Sequence, residues 1–227
     1  MKINFDNSVI QKPWGEEYNI FRNKKKIAIT YLRIKKGLST SLHCHPSKKT
    51  GFLILKGTAE VQIGIYKKNI KKYTSMSILV LRPGLFHKIK ANKKTDLYAL
   101  EIENPYLKYD LIRMKDDYGR SKKGYESLKN SRILSSNDLK FKKPLIGKKN
   151  KYILNGIKIE ISYYKNFKSL KSYDDRSISI ILDGKIVDQN NKTVITTGEI
   201  VKSYTLKQLT NYFKINNQIL LLKASKK

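Results

Sequence analysis

Polar and apolar side chains alternate along Val61-Gln62-Ile63-Gly64-Ile65 and along Ile157-Lys158-Ile159-Glu160-Ile161. A period of two sends one side chain to a core and the next to water, which is the pattern of a half-buried strand. The other apolar stretches are short runs: Ile27 to Ile34, Phe52 to Leu55, Ala59 to Tyr66, Ile78 to Leu81 and Ile219 to Leu222. Turn residues stand between them, at Lys36-Gly37, Lys56-Gly57, Arg82-Pro83-Gly84, Asp183-Gly184 and Asn190-Asn191. Many short strands at this spacing predict an all-β barrel or sandwich. The clearest interruption is 105–130, where Tyr106 to Met114 has the composition of a short helix and a polar stretch follows through Asp117, Gly119, Lys122 and Lys123.

The two halves resemble each other. Leu53-Ile54-Leu55-Lys56-Gly57-Thr58-Ala59-Glu60-Val61 lies over Ile180-Ile181-Leu182-Asp183-Gly184-Lys185-Ile186-Val187, and the closing run Tyr98 to Glu103 has a counterpart in Ile219 to Lys223. The expected organisation is a β domain over 1–105, a connecting helix or loop over 106–130, and a second, degenerate β domain over 131–227.

Composition narrows the partners. The 227 residues are 40% hydrophobic and 10% aromatic, enough to build a core rather than remain disordered. No apolar run approaches the roughly 20 residues that span a bilayer. Met1 to Val9 has neither an apolar core nor a small-residue cleavage site, so no signal peptide is expected. The single cysteine, Cys44, rules out an internal disulfide. A cytoplasmic protein without a membrane partner is the expectation. The formal net charge of +30 invites a nucleic-acid partner, but only seven of the 48 basic residues are arginine, and the lysines are spread along the whole chain. Specific phosphate and base contacts favour the planar fork of arginine. No specific nucleic-acid binding is therefore expected, only the weak attraction to polyanions that follows from charge.

The candidate chemistry lies in the chain's three histidines. Gly37 is followed by five residues, then His43, Cys44 and His45; Thr50 and Gly57 come after. A second piece reads Arg82-Pro83-Gly84-Leu85-Phe86-His87. Residues i and i+2 of a strand share a face, so His43 and His45 point into the barrel, and His87 can close a facial set with ring nitrogens within about 4 Å of one another. Imidazole suits several divalent transition metals, here Fe, Zn, Mn or Ni. A barrel without metal, or one whose histidines act as acid–base groups, remains open.

These spacings resemble the two motifs of the cupin superfamily. The resemblance implies a jelly-roll barrel, its duplication as a bicupin with a degenerate second barrel, and a metal at His43, His45 and His87. The usual glutamate ligand is replaced by Thr50, and in the second motif Met76, Arg82 and Ala91 stand where glycine, proline and asparagine are usual. In the second half the corresponding positions are Leu170, Ser172, Ser177 and Leu209, so that barrel would lack a site. Lys12-Pro13-Trp14-Gly15-Glu16-Glu17-Tyr18 is similar to the entry segment of the cupin part of mannose-6-phosphate isomerase and mannose-phosphate guanylyltransferase enzymes. A closer likeness, to uncharacterised cupins of bacterial surface-polysaccharide clusters, rests on 41–51, on Leu100-Glu101-Ile102-Glu103-Asn104-Pro105, on Asp110-Leu111-Ile112-Arg113, and on Asp117-Tyr118-Gly119-Arg120 with Tyr125-Glu126.

The resemblance implies an isomerase- or epimerase-like enzyme acting on a sugar phosphate or nucleotide sugar in glycan biosynthesis. Glu101 or Glu103 would shuttle the proton, and Lys48, Lys49, Thr50 and Arg82 would hold the substrate. A non-catalytic sugar-binding or regulatory cupin, and a three-histidine iron oxygenase, are the alternatives. Whether the chain pairs as a homodimer is open at this level.

Overall fold

The apolar runs and the alternating stretches become antiparallel strands. A computed structural model describes residues 7–119, 128–170 and 174–227, and divides the chain into two units, Met1–Phe141 and Lys142–Lys227. The first unit holds β1 (Ser8–Lys12), β2 (Gly15–Asn23), β3 (Ile27–Ile34), β4 (Leu42–Cys44), β5 (Lys49–Lys56) and β6 (Thr58–Ile63). It continues with β7 (Ile70–Thr74), β8 (Ile78–Leu81), β9 (His87–Ala91), β10 (Leu97–Asn104), β11 (Ile112–Lys115) and β12 (Ser131–Ile133). The second holds β13 (Lys149–Leu154), β14 (Ile157–Tyr164), β15 (Ile178–Val187), β16 (Thr193–Thr196), β17 (Ile200–Lys202), α1 (Ser203–Leu209) and β18 (Lys214–Lys226).

In the first unit a seven-stranded sheet, ordered β12-β1-β2-β3-β10-β5-β8, and a five-stranded sheet, ordered β11-β4-β9-β6-β7, make the barrel. Trp14, Leu32, Ile34, Phe52, Ile54, Val61, Leu81, Ile89 and Leu97 form one buried cluster from the inner faces of both. Leu53 and Leu55, which point the other way from β5, are buried as well. That is why this strand reads as a continuous apolar run instead of an alternation. In the second unit, the strands form one sheet, β13-β14-β18-β15-β16, with β17 paired to β15. Its core gathers Tyr164, Ile181, Ile186, Leu206, Ile219 and Leu221.

Two expectations need correction. Tyr106 to Met114 is not a helix: Asp110 N–H bonds back to Leu107 O in a turn, and Ile112–Lys115 pairs with β4. The Asp110 carboxylate accepts from the backbone N–H groups of Ser47 and Lys48, which ties the segment down in extended form. Ser131–Ile133 pairs with β1, so the second unit begins at Lys142 and not at 131. Leu209, the position aligned with His87, closes α1. Ser172, Lys122, Lys123, Arg120, Tyr125 and Glu126 lie outside the described residues.

The matched glycines share one local geometry. Gly57 has φ +88, and a Cβ there would stand 2.4 Å from Asp96 O; Gly184 has φ +90, and a Cβ would stand 2.3 Å from Gln218 O. Both require glycine twice over, by torsion and by the approach of a neighbouring strand's backbone. Met76, where a glycine was expected, keeps the left-handed torsion at φ 65, at a cost of roughly 1–2 kcal/mol. Gly57→Ala should therefore lower unfolding stability by about 3 kcal/mol or more. Gly37→Ala, at φ +76 with nothing within 4 Å of its Cβ, should lose only about 1 kcal/mol. Urea unfolding of the two variants side by side tests this: equal losses would mean that the backbone approach at Gly57 contributes nothing.

Candidate metal centre

β4 and β9 meet through one register pair, His43 opposite His87, which puts both imidazoles on the inner face. On the far side of β4, Arg113 of β11 stands opposite His43. His45 follows β4 two residues on from His43. The ring centroids are 5.1 Å apart for His43–His45, 4.5 Å for His43–His87 and 5.5 Å for His45–His87. One nitrogen from each ring lies within 4.8 Å of the others, a convergent group somewhat wider than the expected 4 Å.

The hydrogen bonds fix which nitrogens face inward. His43 Nδ1 lies 2.9 Å from Ser41 O, His45 Nδ1 2.7 Å from Asp110 O, and His87 Nδ1 3.1 Å from Leu85 O. A carbonyl oxygen only accepts, so each Nδ1 carries the hydrogen and each Nε2 keeps its lone pair. His45 Nε2 and His87 Nε2 are buried with no hydrogen-bond partner among the described residues. An unsatisfied buried acceptor costs about 1–3 kcal/mol, and two of them converging fit a cation better than water. Burial also keeps the rings neutral. It pushes His45 down to about 3 and His87 to about 4, and it holds His43 well below the usual range, with the neighbouring imidazoles adding to the effect. Three neutral imidazoles with backbone-anchored Nδ1–H groups are a donor set for a divalent transition metal.

The opposite wall is acidic. On β10, Glu101 pairs with Phe52 and Glu103 with Thr50, so both carboxylates share the inner face with those β5 side chains. Lys48 Nζ bonds the Glu103 carboxylate directly, and Glu101 Oε1 lies 3.9 Å from His45 Nε2. Burial pushes Glu101 up to about 8, with the Glu103 charge adding to it; burial also raises Glu103, against the lowering pull of Lys48. Lys48 is pulled down by burial but more than restored by the Glu103 and Glu101 charges, so it stays an ammonium. The Thr50 hydroxyl is buried without a partner among the described residues.

The three histidines, Lys48, Glu101 and Glu103 line a cavity of about 320 Å³ with Trp14, Phe52, Tyr109 and Leu111, and Thr50 does not line it. Its walls also carry Lys12, paired with Glu17 at 2.9 Å, together with Lys108 and Arg113. Of the residues expected from sequence, His43, His45, His87, Lys48, Glu101 and Glu103 come together here. Arg82 does not line the cavity: it is exposed, and its Nη1 donates to Pro83 O at 3.2 Å. Lys49, the first residue of β5, alternates with Thr50 and Phe52 and so faces away from them, and it does not line the cavity. The sequence reading missed Lys12, Glu17, Lys108 and Asp110 in these roles. Asp110 and Arg113 belonged to a stretch flagged by resemblance, but a helix there hid their place beside the histidines.

The model of the mannose-6-phosphate isomerase C-terminal family matches residues 3–117, half of the chain. The chain belongs to that family. Its likeness to polysaccharide-cluster cupins has a curated counterpart: the Xanthan biosynthesis protein XanB of Xanthomonas campestris pv. campestris is 26% identical over 114 residues, covering 49% of this chain and 24% of XanB. The chain thus spans about a quarter of the length of the curated relatives it matches. Among solved structures, the capsular polysaccharide assembling protein CapF of Staphylococcus aureus is 15% identical with a TM-score of 0.42, covering 48% of this chain and 34% of CapF. KdgF from Halomonas sp. is 12% identical with a TM-score of 0.38, covering 42% and 84%. No helix among the described residues is long and apolar enough to cross a membrane.

Proposed function

We propose that this cupin holds a divalent transition metal at His43, His45 and His87 and acts on a sugar phosphate or nucleotide sugar as an isomerase or epimerase. The observation that carries the reading is the inward-facing Nε2 set in a cavity that Lys12, Lys108 and Arg113 also line. A cavity of about 320 Å³ is at the lower end of the roughly 300–1,000 Å³ of small-molecule sites. That suits one sugar ring, with any nucleotide extending toward solvent. Family membership and the resemblance to XanB support carbohydrate chemistry in polysaccharide assembly.

A bound divalent ion would supply Lewis-acid polarisation of a carbonyl or hydroxyl oxygen. Arg113 and Lys108 hold the anionic group, and Trp14 offers an apolar face to the ring. Lys48 and Glu103, bonded to each other inside the cavity, move the proton: the carboxylate receives it and the ammonium returns it. The replacement of a motif carboxylate by Thr50 favours a second reading, a sugar-binding module without turnover; an iron-dependent oxygenase would instead consume oxygen.

In D₂O, an isomerase or epimerase working by proton transfer should place solvent deuterium on the substrate carbon, detectable by NMR across a panel of sugar phosphates and nucleotide sugars. Binding without exchange would leave the non-catalytic module, and oxygen uptake with bound iron would point to the oxygenase. Arg113→Ala should weaken binding of the exchanging substrate by about tenfold to a hundredfold, the scale of one charge-assisted contact. An unchanged dissociation constant would remove Arg113 from the substrate site.

A further inference from the structure

The charges and lone pairs around the three imidazoles do not balance. Glu103 is held by Lys48, whose Nζ also donates to Leu107 O at 3.3 Å. Glu17 is held by Lys12. Glu101 is the third carboxylate of this cavity, and among the described residues it has no hydrogen bond. Its ion-pair neighbour is His45 Nε2, at 3.9 Å. That nitrogen carries a lone pair, because its Nδ1–H is committed to Asp110 O. A carboxyl oxygen lone pair and an imidazole lone pair facing each other in a buried site repel unless a proton or a positive centre stands between them. The gap of 3.9 Å is too long for one shared proton. It falls within the roughly 3.0–4.2 Å that separates two ligands bonded at about 2.0–2.2 Å to one ion.

Resting on the metal site proposed above, we infer that Glu101 Oε1 is a fourth ligand of the ion, supplied by β10. β5, the neighbouring strand, has Phe52 opposite Glu101, and its Thr50 hydroxyl lies opposite Glu103 instead. The fold permits the exchange because β10 runs antiparallel beside β5, with Glu101 directly opposite Phe52 on the inner face. The donor set becomes three neutral nitrogens and one carboxylate, which favours harder ions such as Mn²⁺ and Fe²⁺ more than three imidazoles alone would. Glu101 is then a ligand, and proton transfer falls to Lys48 and Glu103.

The test is metal binding by the full chain after chelation, measured by equilibrium dialysis against Mn²⁺ and Zn²⁺ for the wild type, Glu101→Gln and Glu17→Gln. Glu17→Gln makes the same charge change in the same cavity at a carboxylate already paired with Lys12. Glu101→Gln should weaken Mn²⁺ binding by more than about tenfold, and Zn²⁺ less, whereas Glu17→Gln should stay within about threefold of the wild type. Thermal melting gives a second readout. Metal-free Glu101→Gln should melt no lower than the metal-free wild type, since an unpartnered carboxyl facing the His45 lone pair is removed, and should gain less on adding Mn²⁺. If the wild type binds and both variants bind equally well, the ligand assignment fails while the three-histidine site stands. If the wild type binds neither ion, the site itself is overturned and the assignment with it.

Discussion

His45→Ala is expected to abolish stoichiometric metal binding while the barrel stays folded. The ring contributes one of three convergent nitrogens, and its Nε2 is buried without a hydrogen bond among the described residues. Deleting a mere outer partner of a metal ligand typically costs 10–100-fold in affinity, so removal of a ligand should exceed about a hundredfold. The fold should survive, because His45 lies outside the apolar cluster of Trp14, Phe52, Val61 and Ile89. The loss is one hydrogen bond to Asp110 O, worth about 1 kcal/mol, against the removal of an unsatisfied buried acceptor. Metal analysis beside urea unfolding checks both halves. Full metal occupancy in the variant would show that the three rings do not act together, and a collapsed fold would make the site structural.

Lys48→Met carries the largest expected cost in stability. Lys48 is 4% exposed and bonds the Glu103 carboxylate inside the cavity, with Glu101 on the same strand face. Removing one partner of a buried pair typically costs about 3–5 kcal/mol, because the remaining charge has no compensation. The cost should depend on pH in a definite direction. Burial already raises Glu101 to about 8 and raises Glu103, and loss of the ammonium raises both further. Groups whose folded pKa lies above the unfolded value favour the fold at low pH, and that contribution fades as pH rises through the folded value. The gap between the variant and the wild type, both metal-free, should therefore be smallest near pH 4.5 and widen toward pH 8. A gap that narrows with rising pH, or a cost below about 1 kcal/mol at pH 8, would mean that the carboxylates are compensated elsewhere.

Much of the site was legible because its spacing is dictated by strand geometry. His43 and His45 share a face by the period of two, and the turn before His87 returns the chain to β4 at the register that pairs His43 with His87. Gly57 and Gly184 were legible as a matched pair because both need a left-handed torsion against a neighbouring backbone. What was hidden depends on contacts distant in sequence. Arg82 looked like the anion-binding residue from its place in the motif, yet its guanidinium turns to Pro83 O. The cavity's cationic wall comes instead from β1 and from the segment around Lys108 and Arg113. Local composition in that segment favours a helix, but Asp110 bonds to Ser47 and Lys48, and pairing with β4 overrides the local preference. The carboxylate beside His45 could not be read from the motif either, since Glu101 reaches it only through the pairing of β10 with β5.

The central claim joins the metal to a sugar-phosphate ligand in one cavity. Its most direct test is calorimetric titration of sugar phosphates and nucleotide sugars into the metal-loaded protein and into the same protein after chelation, at about 0.15 M salt. One ligand class should bind the loaded protein selectively and lose most of that affinity when the metal is removed. Equal affinity with and without metal, or no binding by either form, would contradict it.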